Sequence, residues 1–221
     1  MSSSAPAKST IDHVLESDPR YPRSLSVLGD RAPASLALLG NVDLLGEHAL
    51  ALFCSVRCPG SLILKTYDLA QKLRENGVTV IGGFHSPVER ECLNVLLKSS
   101  NKVIICPARG LESMRIPADY RKPLEDGRLL LVSPFTDKQR QANSDMAERR
   151  NRLVGAMADR IFVAYAAPRS KTERLCREMV RWGKLLYTFA GEYNSNLITL
   201  GAGEIDACFS LLAGPVSTNP C

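Results

Sequence analysis

Short apolar runs alternate with longer amphipathic stretches along most of the chain. Short runs that are apolar throughout are typical of strands buried on both faces, and they cover residues 49–54, 78–81, 103–106, 129–132, 161–164 and 185–188. Between them, apolar residues recur at three- and four-residue spacing, which predicts helices, at residues 62–73, 87–97, 145–158 and 172–182. The alternation predicts an α/β, Rossmann-like fold: a mostly parallel sheet with helices on both faces.

The pattern divides the chain into three segments. Residues 1–10 are polar and rich in Ser and Ala, which predicts a disordered lead-in without a secretory signal. Residues 11–46 contain short apolar pieces broken by prolines, and we interpret them as an N-terminal helical extension of short helices and turns. Residues 47–221 form the Rossmann-like domain, in which we find no internal repeat.

Composition narrows the class of protein. The chain has 221 residues, of which 45% are hydrophobic, and no apolar stretch is long enough to span a membrane. Its seven cysteines are odd in number and mostly lie in apolar runs, which favours reduced thiols in a cytoplasmic protein. We predict no metal site, because no second close pair of Cys or His accompanies Cys54 and Cys58. We also predict no cofactor and no membrane contact.

The positive charge is concentrated in one part of the chain. The net charge is +5, and residues 109–184 contain 17 Lys and Arg against 10 Asp and Glu, whereas the rest contains 11 against 13. The positive electrostatic field of such a basic segment favours a polyanionic partner. A solvated surface with an incidental bias is the alternative.

Three loops follow predicted strands at the carboxyl edge of the sheet, where ligands of open α/β proteins bind. The first contains Ser55 and Arg57 before a helix, and a helix N-terminus with a hydroxyl and a cation suits an anion. It fits neither the dinucleotide-binding nor the P-loop pattern, so an ordinary strand-to-helix turn is the alternative.

The second loop contains Gly82 and Gly83, whose lack of side chains permits close approach of a ligand, followed by His85 and Ser86. The functional roles that fit His85 are a hydrogen-bond donor to a phosphate and a general base, and the alternative is a structural hydrogen-bonding role. The third site combines a basic helical stretch with a polar strand-to-helix turn, since Arg suits phosphate through its planar fork; its candidates are Arg150, Asn151, Arg152, Arg169, Ser170, Lys171 and Thr172.

Beyond these loops, the sequence resembles the DprA/Smf family of DNA-processing proteins from about residue 18 to residue 190. The family opens with the pattern D-x-x-Y-P-x-x-L-x-x-L-x-D-x-P-x-x-L-x-x-x-G. It corresponds here to Asp18, Tyr21, Pro22, Leu25, Leu28, Asp30, Pro33, Leu36 and Gly40, with one extra residue between Asp30 and Pro33. Its G-S-R loop corresponds loosely to residues 54–57, its S-G-x-A-x-G-I-D loop to 82–89, and its R-N-R motif to 150–152.

The resemblance implies a single-stranded DNA binding protein of DNA processing and recombination. It further implies a homodimer, a role in DNA uptake and transformation, and a RecA-type recombinase as partner. Two departures from the family pattern bear on the role in transformation. The second loop reads His-Ser-Pro-Val-Glu where the family has A-x-G-I-D, and the family's C-terminal winged-helix domain has no counterpart in these 221 residues.

An enzyme is the main alternative to a binding protein. LOG-like phosphoribohydrolases of the same superfamily cleave nucleoside monophosphates, and this chain is similar to them in outline around residues 146–150 and 168–173. In that case Glu89, Glu173 and His85 are the catalytic candidates, because a carboxylate assists cleavage of an N-glycosidic bond. A role limited to protein–protein contact is a third possibility.

Overall fold

The computed structural model describes residues 10–112, 114–136, 138–139 and 142–205. The strands are β1 (Asp12–Leu15), β2 (Ser35–Gly40), β3 (Ala49–Cys54), β4 (Thr79–Gly82), β5 (Val103–Ile105), β6 (Leu129–Ser133), β7 (Arg160–Tyr165), β8 (Leu185–Thr188) and β9 (Gly203–Glu204). The α-helices are α1 (Gly60–Glu75), α2 (Pro87–Leu97), α3 (Ala118–Glu125), α4 (Ser144–Met157), α5 (Lys171–Arg181) and α6 (Ser195–Thr199). Short 3₁₀ helices cover Arg23–Arg31, Val42–Gly46 and Glu192–Asn194.

The nine described strands form one sheet in the order β1-β2-β6-β5-β4-β3-β7-β8-β9. All neighbours from β6 to β9 are parallel, whereas β1 and β2 add an antiparallel edge. The predicted Rossmann-like, mostly parallel fold is therefore confirmed.

Helices cover both faces of the sheet, because successive side chains of a strand point to opposite faces. In β3, Ala49, Ala51 and Phe53 belong to one apolar cluster and the residues between them to the other. Leu153 and Val154 of α4 pack in the first cluster, and the buried residues of α1 and α2 pack in the second. The central strands are thus buried on both sides, as their apolar runs require.

The N-terminal segment needs a correction. We predicted residues 11–46 as short helices and turns, but within this segment β1 pairs with β2, and β2 pairs with β6, which extends the sheet. The apolar run at residues 36–39 is buried against the core, and the 3₁₀ helix Arg23–Arg31 connects the two strands. The prolines therefore bound strands and turns in a segment that belongs to the same sheet.

Parts of the sequence interpretation concern residues outside the described ranges. The lead-in over residues 1–10 falls there except for Thr10, and so do Cys208 and Cys221. Cys54, Cys58, Cys92, Cys106 and Cys176 carry free thiols. Among the described helices, none is both long and apolar enough to cross a membrane.

Candidate nucleic-acid interface

The chain changes its direction of travel across the sheet between β3 and β7. From β3 it continues outward through β4, β5 and β6, and then returns to place β7 on the other side of β3. Such a switch point leaves a crevice beyond the carboxyl ends of the two strands, where ligands bind in open α/β sheets. Residues 55–59 and 166–170 follow the two strands, and we refer to the space between them as the crevice.

Ser55 joins the two loops of the crevice. Its N–H donates to the Tyr165 carbonyl at 2.8 Å, and its hydroxyl donates to Thr172 Oγ1 at 3.2 Å. The Ala167 N–H in turn donates to the Ser55 hydroxyl at 3.2 Å. Ser55 and Thr172, two predicted phosphate ligands, therefore contact each other across the switch point, and Ser55 is buried.

The N-terminus of α1 lies at the crevice without a side-chain cap. Its N-cap residue is Pro59, which accepts no hydrogen bond through its side chain, and its first turn contains no acidic residue. Free N–H groups and the positive end of the helix dipole make such a terminus attractive to anions. The preceding residues Val56 and Arg57 are exposed, so a cation lies beside this helix end.

The second loop is organised around the buried carboxylate of Glu89. Its Oε1 accepts from the Cys54 N–H at 2.9 Å, and its Oε2 accepts from the N–H groups of His85 at 2.8 Å and Ser86 at 3.3 Å. Ser86 accepts in return from the Glu89 N–H, which completes a capping box on α2. Burial raises the pKa of Glu89, while these donors and Arg150 favour the charged form. The carboxylate therefore fixes the loop to the end of β3.

Gly83 of this loop makes room for Arg150. A methyl group on Gly83 would lie 1.9 Å from Arg150 Nη1. The guanidinium is buried, donates from Nη1 to the Cys106 carbonyl at 2.9 Å, and donates from Nε to Asn151 Oδ1 at 2.7 Å. Burial lowers the pKa of Arg150. Arg150 and Asn151 thus lie beneath the second loop, where His85 is exposed.

The third loop repeats the construction of the second. Ser170 caps α5 by accepting from the Glu173 N–H at 3.2 Å, and the Glu173 carboxylate accepts from the Arg169 N–H at 2.6 Å. Asn196 Nδ2 donates to Glu173 at 3.2 Å and to the Ala166 carbonyl at 3.0 Å. Burial opposes ionisation of Glu173, but these donors and Arg177 hold the pKa of its carboxyl below the usual value.

Cations of the third site differ in their availability. Arg169 is exposed and has a left-handed backbone, with φ of 62°. Lys171 Nζ lies 2.6 Å from Glu148 Oε1, so its charge is paired. Arg152 is bound through two nitrogens to Glu178 of α5, at 2.7 and 2.9 Å. The structure therefore brings Arg169 to the crevice and places Arg152 between α4 and α5.

Exposed apolar side chains lie in the first loop and in the first half of α1. Val56 is 66% exposed, and Leu64 and Tyr67 on the first turns of α1 are 70% and 46% exposed. An aromatic and aliphatic surface beside cations is suited to stacking of bases. The low aromatic content of the sequence did not indicate such a surface. Among the described residues, no three His, Cys, Asp or Glu side chains are grouped so as to hold a metal ion.

A protein-family model matches most of the chain. A family model described as DNA recombination-mediator protein A matches residues 12–203. The chain belongs to this family. The match runs from β1 into β9 and thus includes every described strand. No curated protein sequence matches the chain. The resemblance inferred from the N-terminal pattern is confirmed.

Solved structures share the fold of this family member. DNA processing protein A (DprA) of Streptococcus pneumoniae has a TM-score of 0.76 and 22% identity, covering 91% of this chain and 74% of that chain. DNA processing protein A of Helicobacter pylori, described by its unique single-stranded DNA binding mode, has a TM-score of 0.70 and 21% identity, covering 89% and 92%. The molybdenum cofactor binding protein of Rippkaea orientalis has a TM-score of 0.50 and 10% identity, covering 70% and 83%. At these identities the likeness concerns the fold.

Proposed function

We propose that this member of the DNA recombination-mediator protein A family binds single-stranded DNA at the crevice through contacts to phosphate groups. The observation that carries the proposal is the N-terminus of α1, which has no side-chain cap and lies beside the exposed Arg57 at the switch point. Backbone N–H groups and a guanidinium together suit a phosphate diester. The family membership and the local excess of Lys and Arg support a polyanionic ligand.

Two further features support a strand over a mononucleotide. Arg169 offers a second exposed cation across the crevice from Arg57, which suits successive phosphates. Leu64 and Tyr67 extend an exposed surface away from the crevice, and bases of a strand that leaves the crevice can stack there. Because neither feature reads base edges, the binding is expected to depend little on sequence.

The alternative of a nucleotide hydrolase has weaker support. Its candidate acids were Glu89 and Glu173, and both carboxylates accept backbone N–H groups of their own loops. A general acid or base has to reach the substrate. We therefore assign both residues to loop positioning in this proposal, and no specific observation favours hydrolysis.

The proposal is tested by fluorescence anisotropy with a labelled oligo-dT strand at two salt concentrations and with AMP as competitor. The variant is Arg57→Ala, and the matched control is Arg74→Ala at the opposite end of α1. Binding of the strand is expected to weaken at the higher salt concentration and to stay unchanged when AMP is added. Arg57→Ala should lower the affinity by about tenfold, as expected for one charge-assisted contact, and reduce the salt slope by about 0.7.

Equal effects of Arg57→Ala and Arg74→Ala would contradict the assignment of the phosphate contact to Arg57. Absence of strand binding, or displacement by a low concentration of AMP, would favour a mononucleotide site. The homodimer, the RecA-type partner and the role in transformation remain predictions from the family resemblance. The cytoplasmic location remains a prediction from the cysteine content.

A further inference from the structure

A separate cavity of about 320 Å³ lies between the 3₁₀ helix Arg23–Arg31 and α4. Its apolar walls include Leu28, Pro33, Pro134 and Leu153. None of its lining residues belongs to the three loops at the carboxyl edge, so it is distinct from the crevice. Its volume lies at the lower end of the range of small-molecule sites.

Three arginines line this cavity, and two of them share one counter-ion. Arg152 Nε lies 2.7 Å from Glu178 Oε2, and Arg31 Nη1 lies 3.6 Å from the same oxygen. Asp30 is a carboxylate of the lining itself. Glu148 lies 4.0 Å from Arg152 but is paired with Lys171 at 2.6 Å. With that pair counted as neutral, Asp30 and Glu178 balance two of the three guanidinium groups, which leaves an excess of one positive charge.

Arg149 carries the uncompensated charge. Its guanidinium lies 5.5 Å from the centroid of the Phe135 ring, which orients a cation without neutralising it. No ion pair joins Arg149 to a carboxylate among the described residues. Arg149 is therefore held in place at the cavity with its donors available for an anion.

The positions of the arginines favour a phosphate group. Arg149 and Arg152 are three residues apart in α4 and thus lie on one face of the helix. Arg152 uses Nε and Nη2 to bind Glu178, so Arg149 offers its whole planar fork and Arg152 offers its Nη1 group. Donors from two arginines on one face match the several oxygens of a phosphate better than a single carboxylate. The apolar walls suit an uncharged organic part, which a phosphate ester such as a thymidine nucleotide has and inorganic phosphate lacks.

We propose that this cavity binds a phosphate ester of mononucleotide size, with its phosphate on Arg149 and Arg152 and its organic part against Leu28, Pro33 and Pro134. This site goes beyond the strand-binding proposal, because the two share no described lining residue. The phosphate ester can be a free nucleotide or the terminal nucleotide of a strand, and both present the same chemistry to the cavity.

Isothermal titration calorimetry of the full chain with dTMP tests the proposal. Arg149→Ala is expected to weaken dTMP binding by about tenfold or more, as expected for one charge-assisted contact. Arg74→Ala, on the helix that covers the other face of the sheet, and Arg57→Ala in the crevice are expected to leave dTMP binding unchanged. A thermal melt of each variant verifies that the fold is retained.

The same titrations separate the possible outcomes. A strand with a 5′-terminal phosphate can be tested as a competitor of dTMP beside the same strand without that phosphate. Competition by the phosphorylated strand alone would identify the strand end as a second source of the ligand. Inorganic phosphate that binds as tightly as dTMP would overturn the role of the apolar walls. Absence of dTMP binding at millimolar concentration, or its loss in Arg57→Ala and not in Arg149→Ala, would overturn the site. Strand binding that fails in Arg57→Ala alone leaves this inference intact.

Discussion

The substitution Gly83→Ala tests why the second loop contains a glycine. The added methyl group would lie 1.9 Å from Nη1 and 2.0 Å from Cζ of Arg150, well inside the contact distance of two heavy atoms. Gly83 is not among the glycines with a left-handed backbone, so alanine meets no conformational penalty there. The side chain of Arg150 is what must move.

The expected loss of stability follows from the contacts of Arg150. Moving the guanidinium breaks its 2.9 Å hydrogen bond to the Cys106 carbonyl, in a position where Arg150 is only 4% exposed. A hydrogen bond from a charged group contributes about 1.5–3 kcal/mol, and an unpaired buried partner adds to the loss. We expect the free energy of unfolding to fall by about 2–4 kcal/mol.

Urea unfolding of a double-mutant cycle measures this effect. In an Arg150→Ala background the space beside residue 83 is empty, so Gly83→Ala should be neutral or stabilise by about 0.4–1 kcal/mol through the unfolded chain. Gly46→Ala is the control, since a methyl group there meets no atom within 4 Å. If Gly83→Ala lowers the free energy of unfolding equally with Arg150 and with Ala at position 150, or not at all in the natural sequence, the reasoning is refuted. Intact stability with lost strand binding would instead support close approach of a ligand to Gly83.

Two further predictions concern helix ends and ion pairs. Ser170→Ala removes the cap of α5 and is expected to lower the free energy of unfolding by about 1 kcal/mol in urea unfolding, whereas Ser170→Asp retains a capping oxygen and the stability. Arg152 holds the pKa of Glu178 below its usual value, so the stability that the pair contributes is present above the ordinary glutamate pKa and is lost as the pH falls through the lowered one. Glu178→Gln should therefore lower the free energy of unfolding at neutral pH but not in acid. The control Glu75→Gln, at an exposed position of α1, should change the free energy of unfolding little at either pH.

Hydrophobic periodicity predicted the central fold closely because every central strand is buried on both faces. The run at 49–54 coincides with β3, and the amphipathic stretch at 87–97 coincides with α2. The strands β1 and β2 at the antiparallel edge were not predicted from this periodicity. The pairing of β2 with β6 depends on residues about a hundred positions away, and β1 pairs in turn with β2. The local pattern of apolar residues carries no information about such pairings.

The location of the site could be predicted, but the roles of its residues could not. The predicted order of strands and helices was enough to place all three loops at the carboxyl edge of the sheet. It did not indicate that Glu89 binds the Cys54 N–H or that Asn196 holds Glu173, since these partners lie 35 and 23 residues apart. A local signal did exist for part of this, because residues 86–89 and 170–173 both have the Ser-x-x-Glu spacing of a capping box.

This spacing also distinguishes the three helix ends. Hydroxyl and carboxylate side chains that cap a helix occupy the N–H groups that an anion would otherwise bind. Ser86 with Glu89 and Ser170 with Glu173 do so for α2 and α5, whereas α1 begins after Pro59 with neither. A phosphate therefore meets competition at two of these three helix ends and none from side-chain caps at the third. The exposed Arg57 beside that third end is consequently the position at which the strand-binding proposal can be tested most directly.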